Sequence, residues 1–171
     1  GLKIGHVHAG KKEFDGNTPW HDAFPTLEEA LEKIDPNCGF NIEIKWDMML
    51  KNGTNECLFP IEINIFLDKI LDIVHKSKKS KHRKIVFSSF SPDVCTAVRA
   101  KQNPNPVLLL TQGVNTKYPE YADPRTWTIE NGSNFVAVAE ILGVSAMAEV
   151  IQPSQVQLIK NRGQVIFAWT P

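Results

Sequence analysis

Within Gly39–Trp46, GFNIEIKW, a carboxylate and an ammonium stand two residues apart at Glu43 and Lys45. Strand side chains alternate between two faces. Asn41, Glu43 and Lys45 therefore share one face, and Ile42, Ile44 and Trp46 share the other. A carboxylate is a hard oxygen ligand for a divalent cation, and an ammonium is a contact for an anionic oxygen. Side by side they suit an anionic ligand such as a phosphate ester. The plainer reading is a structural ion pair between layers of a core. An unpaired charge in a dry interior is costly, so either reading requires a partner for each group.

Other residue types with chemical potential are less organised. Cys38, Cys57 and Cys95 have no C-x-x-C spacing, and an odd, sparse set reads as reduced thiols in a cytoplasmic protein. His75 and His82 fall on a helix tail and in a basic run, where solvation is expected. The triplets at Asn52 and Asn131 fit the glycosylation pattern, but such triplets also arise by chance in turn-forming sequence.

The totals exclude several classes. With 19 basic and 19 acidic side chains in 171 residues, no net field attracts nucleic acid or an acidic membrane surface. No apolar run approaches the ~18 residues of a membrane span. An apolar content of 42% and this length fit one domain with a sizeable core.

The elements that must position the charged pair follow in order. FPTLEEALEKI reads as an amphipathic helix capped by Thr26, and FNIEIKW as the strand after it. INIFLDKILDIVHKS is a second helix, with Ile63, Phe66, Leu67, Ile70, Leu71 and Val74 on one face. Then come the strand KIVFSSF, the helix SPDVCTAVRAKQ and the strand PVLLLTQG. A long polar loop through NTKYPEYADPRTWTIENGS precedes a helical NFVAVAEILG and the apolar stretch VSAMAEVI. PSQVQLIKNRG is a last helix ending at Gly163, and QVIFAWT a last strand. Helix and strand alternate five times, so the strands pair in parallel under helical cover. Either an open doubly wound sheet or a TIM (β/α)8 barrel results. No glycine-rich phosphate loop follows any strand, which favours the barrel. In a barrel, Glu43 and Lys45 would point into the lumen near the carboxyl end of their strand, where barrel chemistry sits.

The segments FPTLEEALEKIDPNCGFNIEIKW, IVFSSFSPDVCTAVRAKQ, PVLLLTQG and GQVIFAWT, in that order from about Phe24 onward, resemble the glycerophosphodiester phosphodiesterase family. They are most similar to its eukaryotic glycerophosphocholine phosphodiesterase branch. The resemblance implies a barrel that uses a divalent cation, Mg2+ or Ca2+. It also implies hydrolysis of a small-molecule glycerophosphodiester, such as glycerophosphocholine, to glycerol phosphate and an alcohol. Carried over, Glu43 matches the metal-binding carboxylate and Lys45 the lysine that contacts phosphate. Phe90 and Trp169 match aromatic positions lining the substrate pocket, and Trp169 would meet a cationic alcohol through its ring face. Packing at a strand end is the plain alternative for both aromatics.

The family's HRG, E-x-D and HD motifs belong upstream of NIEIK and are not found. His6 and His8, in HVHAG, have no strand before them and no arginine after His6. His21 and Asp22, in WHD, sit just before a helix and read as loop residues. No catalytic residue is therefore assigned. A TIM barrel takes about 250 residues, so residues 1–171 are expected to be the C-terminal part of one barrel domain, its first strands and last helix absent. Such a piece alone is expected to be inactive. Members of the branch often carry a carbohydrate-binding module at the N-terminus. A second reading is a degenerate barrel that binds a phospholipid head group or a protein partner without catalysis. A third is a barrel enzyme resembling the secreted-toxin phospholipases D, though the leaders and disulfides usual there are not visible.

Overall fold

The computed structural model describes residues 25–57 and 61–170. Five helices and five strands alternate: α1 Leu27–Lys33, β1 Phe40–Glu43, α2 Ile63–Lys76, β2 Ile85–Ser89, α3 Pro92–Lys101, β3 Val107–Thr111, α4 Ile129–Ala139, β4 Gly143–Met147, α5 Pro153–Asn161 and β5 Val165–Trp169. The strands form one sheet in the order β1-β2-β3-β4-β5, and every neighbouring pair is parallel. This order decides between the two architectures open to the sequence. A doubly wound sheet reverses its strand order at a switch point, and this one does not. Parallel crossovers are almost always right-handed, so a sequential order lays all helices on one face and curls the sheet toward a barrel. No helix among the described residues is long and apolar enough to cross a membrane.

Local sequence accounts for most helix starts. Thr26 and Glu29 form a reciprocal capping box on α1, with Glu29 N donating to Thr26 Oγ1 at 3.1 Å and Thr26 N to Glu29 Oε2 at 2.9 Å. Ser91 caps α3, and Pro92 occupies its first position, where no amide donor is needed. Glu62 caps α2, whose buried face is Leu67, Leu71 and Val74. The carboxyl end of α1 is closed from a distance. The buried guanidinium of Arg83 donates to the carbonyls of Leu31, Ile34, Asp35 and Cys38 and lies 4.6 Å from the Phe40 ring centre. Lys79 reaches the Glu32 carbonyl on the same helix. The basic run is therefore not merely a solvated tail, although His75 and His82 are exposed as expected.

Helix α4 begins five residues earlier than its hydrophobic run suggests. Thr128 caps it at Asn131 N, and the Asn131 amide donates to the Pro124 carbonyl. Gly132 and Ser133 lie on its buried face with Ile129 and Val136. A methyl at Gly132 would press on Leu109 and Val144 at 3.3–3.4 Å, so the small residues let the helix approach the sheet. Their poor helix propensity is outweighed by that close packing.

The pleat separates the two faces of the sheet. Ile44, Ile85, Phe87, Val107, Leu109, Val144 and Ala146 pack beneath Leu67, Val94, Val98, Ile129, Val136 and Ile159 in one core. Fully burying a leucine or phenylalanine of this kind contributes about 1.5–3 kcal/mol. The opposite, concave face is not the set of apolar layers normal in a barrel. Its rows, read from the register, contain Asn41, Glu43, Ser88 and Ser145 beside Leu108, Leu110 and Phe167. Ser88 Oγ donates to Asn41 Oδ1 across β1 and β2 at 2.9 Å.

Candidate active site at the carboxyl edge of the sheet

The rows of the concave face end in a cleft of about 450 Å³. Glu43, the last residue of β1, and Lys45, just beyond it, reach the cleft from one edge of the sheet. Lys45 lies past the end of the ladder, a correction to the longer strand FNIEIKW. The alternation persists far enough to keep both side chains on the same side, with Ile44 buried between them. Phe90 follows β2, Gln112 follows β3, Ser145 lies on β4, and Trp169 ends β5. All four residues singled out from the sequence, Glu43, Lys45, Phe90 and Trp169, line this one cleft.

Lys45 Nζ donates to Glu43 Oε1 at 2.7 Å. The pair is open to solvent, not sealed in a dry core: the side chains are 81% and 36% exposed. Trp169 Nε1 donates to the Ser145 carbonyl at 3.3 Å, which satisfies the indole donor within the protein.

Sequence reasoning missed the roof of the cleft. The loop after β1 and the loop after β3 are stitched together by an isolated antiparallel bridge between Leu50 and Tyr121. Ala122 N donates to Met49 O and Lys51 N to Glu120 O, both at 2.8 Å. Lys51 Nζ pairs with Glu120 at 2.6 Å and stands 4.3 Å above the Trp127 ring. The stitch carries Tyr118, Tyr121 and Glu56 into the cleft. Tyr121 Oη donates to Glu56 Oε1 at 3.1 Å. Burial, then the Glu56 charge and the hydrogen bond to it, push the Tyr121 phenol well above the ordinary tyrosine range, with a smaller push from Glu43. Aromatic residues in a long loop after a strand were the available signal, because such loops carry function on barrels.

A larger depression of about 740 Å³ lies among Trp46, Met49, Asp93 and Arg125. Among the described residues its one lining cation, Arg125, is already engaged by Asp123 at 2.6 Å and Asp93 at 2.8 Å, and Asp47 adds a third carboxylate, so the depression does not suit an anionic ligand. Cys95 is buried, and burial pushes its thiol up to about 12, leaving no reactive thiolate. Among the described residues, no group of three or more His, Cys, Asp or Glu side chains is placed to hold a metal ion. Glu43 presents one hard carboxylate to an open cleft, which suits a divalent cation that takes ~6–8 oxygen ligands. It would be one ligand among several. His6, His8, His21 and Asp22 lie outside the described residues.

A sequentially ordered parallel sheet with charged and aromatic groups gathered at its carboxyl edge defines an α/β barrel-type domain. Residues 3–171 match the profile of the Glycerophosphoryl diester phosphodiesterase family, and the chain belongs to that family. It is 41% identical to the glycerophosphocholine phosphodiesterase GPCPD1 of Rattus norvegicus, over 98% of this chain and 26% of that protein. It is 35% identical to the glycerophosphocholine phosphodiesterase GDE1 of Eremothecium gossypii, over 91% of this chain and 12% of that protein. The chain thus spans about a quarter of the length of the mammalian relative it matches. A solved structure provisionally assigned as a glycerophosphodiester phosphodiesterase, from Galdieria sulphuraria, shares the fold. Its TM-score is 0.58 at 18% identity, covering 86% of this chain and 50% of that one.

Proposed function

We propose that this chain is part of the catalytic barrel of a metal-assisted phosphodiesterase that hydrolyses glycerophosphodiesters such as glycerophosphocholine to glycerol phosphate and an alcohol. The observation that carries this reading is the placement of Glu43 and Lys45 together on the concave face, at the carboxyl edge of the sheet, in an open cleft. Family membership and the printed names of the relatives support the reaction class. Glu43 would contribute one oxygen ligand to Mg2+ or Ca2+, the remaining ligands coming from elsewhere in the complete barrel. The bound cation would supply neutralisation of charge developing on the phosphoryl oxygens. Lys45 would hold a non-bridging phosphate oxygen, and its length and exposure allow it to leave Glu43 for that contact. Phe90 and Trp169 would exclude water from the alcohol side of the substrate.

The test uses the full-length protein containing this chain. Choline release from glycerophosphocholine is followed with and without chelator, then after return of Mg2+ or Ca2+. Release that stops with chelator and returns with the cation supports the reading. Unchanged release under chelation removes the metal from it, and no release from any glycerophosphodiester removes the reaction.

A further inference from the structure

Asn52 and Asn131 each precede a glycine. A glycine amide carries no side chain to hinder its attack on the side-chain carbonyl of the residue before it. The fold treats the two pairs in opposite ways. Asn52 and Gly53 form the exposed tip of a hairpin in the roof of the cleft. That hairpin is closed by the Met49–Asn55 bridge and by Leu50 N donating to the Thr54 carbonyl at 2.8 Å. Gly53 is at φ +83°, and open space surrounds the place where its side chain would be. Its amide donates to the Leu50 carbonyl at 2.9 Å, within a turn open to solvent. Asn52 Oδ1 accepts from Thr54 N at 2.9 Å and from Thr54 Oγ1 at 2.7 Å. Asn131 and Gly132, by contrast, lie near the start of α4. Gly132 is buried, and its amide donates to the Thr128 carbonyl at 3.0 Å. The Asn131 side-chain nitrogen is held by the Pro124 carbonyl at 2.8 Å.

We infer that Asn52 is a site of spontaneous, one-way modification to aspartate and isoaspartate through a cyclic imide, and that the fold of α4 protects Asn131 from the same reaction. Hydroxide takes the Gly53 amide proton, and the nitrogen attacks Asn52 Cγ. A C–N bond forms there, the bond from Cγ to Nδ2 breaks, and ammonia leaves with a proton from water. Water then opens the ring at either carbonyl, which leaves one new negative charge. Water is the only co-reactant. The Gly53 amide must first leave the Leu50 carbonyl, a small cost in an exposed turn. The two Thr54 donors already point at the oxygen that takes the charge of the tetrahedral intermediate, the arrangement that stabilises an oxyanion. In α4 the same ring would require Gly132 to release the Thr128 carbonyl and Asn131 to leave the helical torsion range. The start of the helix must therefore open before Asn131 can react. The product carboxylate at residue 52 stands next to Lys51, whose pairing with Glu120 helps to hold the roof. The isoaspartyl form also adds a backbone carbon inside the turn. This chemistry is independent of the reading of Glu43 and Lys45.

The test incubates the full-length protein at mildly alkaline pH, native and in guanidinium chloride, followed by digestion at low pH and mass-spectrometric peptide mapping. In the native protein Asn52 is expected to convert at least about tenfold faster than Asn131, because Asn131 reacts only after local opening of α4. In denaturant the two should convert at similar rates. Thr54→Val is expected to slow native conversion at Asn52 by about fivefold, the net worth of one hydrogen bond, and to leave the denatured rate unchanged. Asn52 still intact in the native protein after the denatured chain has converted would overturn the inference. So would native conversion at Asn52 no faster than at Asn131. Protection of Asn131 that persists in denaturant would show that the helix is not its cause. A native Thr54→Val rate at or above wild type would overturn the role given to the Thr54 hydroxyl.

Discussion

Lys45 Nζ lies 2.7 Å from a carboxylate oxygen of Glu43, and the lysine side chain is still 81% exposed. An ion pair so open to water contributes about 0–1 kcal/mol and is weakened further by salt. Stability is therefore a weak reason for placing both charges on the concave face. The proposed separation of the two, Glu43 to a cation and Lys45 to a phosphate oxygen, would be a stronger one.

Glu43→Gln removes the charge while preserving shape. In the full-length protein it is expected to reduce cation-dependent hydrolysis of glycerophosphocholine at least about a hundredfold, as for loss of a preorganised electrostatic contact. The thermal midpoint should stay within a degree or two. Steady-state kinetics near wild type across a Mg2+ titration would remove Glu43 from the metal site.

Lys45→Ala should lower kcat/KM by something on the order of a hundredfold, and Lys45→Arg should recover part of it, since both cations can hold a phosphate oxygen. A change seen only in calorimetric melting, with kinetics untouched, would return the pair to a purely structural role.

Arg83→Met tests the closure of α1. The buried guanidinium serves four carbonyls at the end of that helix; without it, among the described residues, only the Asp35 carbonyl keeps a backbone donor, the Cys38 amide. A loss on the order of 3 kcal/mol is expected, equivalent to a melting point lower by about 6–12 °C for a domain of this size. Activity per folded molecule should persist. Equal melting points for the two proteins would refute the capping role.

Tyr121 links the roof of the cleft to pH. Its phenol is held above the ordinary tyrosine range by burial and by Glu56, so the folded state keeps the proton longer than the unfolded chain. The resulting stability is fully present below about pH 10, the unfolded tyrosine value, and is lost as pH rises beyond it. Urea midpoints measured from pH 9 to 11 should fall more steeply in wild type than in Tyr121→Phe. Parallel slopes would show that Tyr121 titrates normally.

The alternation of Glu43 and Lys45 with Ile42, Ile44 and Trp46 marked two faces before any pairing was known, because a strand's side-chain period is fixed by its backbone. Thr26 likewise announced a helix start, through a bond made within four residues. The start of α4 was hidden because Gly132 is a poor helix former whose place there comes with close packing on Leu109 of β3 and Val144 of β4. The cap that Arg83 places on α1 spans some fifty residues, and no local pattern records it.

The candidate site divides along the same line. The types and spacing of Glu43 and Lys45, and the strand-end positions of Phe90 and Trp169, are properties of the chain itself, legible because strand geometry is local. That these four meet in one cleft was decided by the sequential order of the parallel sheet, which brings strand ends from opposite edges of the sheet together. Tyr118, Tyr121 and Glu56 joined them only through the bridge between Leu50 and Tyr121. Loop pairing depends on which strands become neighbours, and only the folded chain settles that.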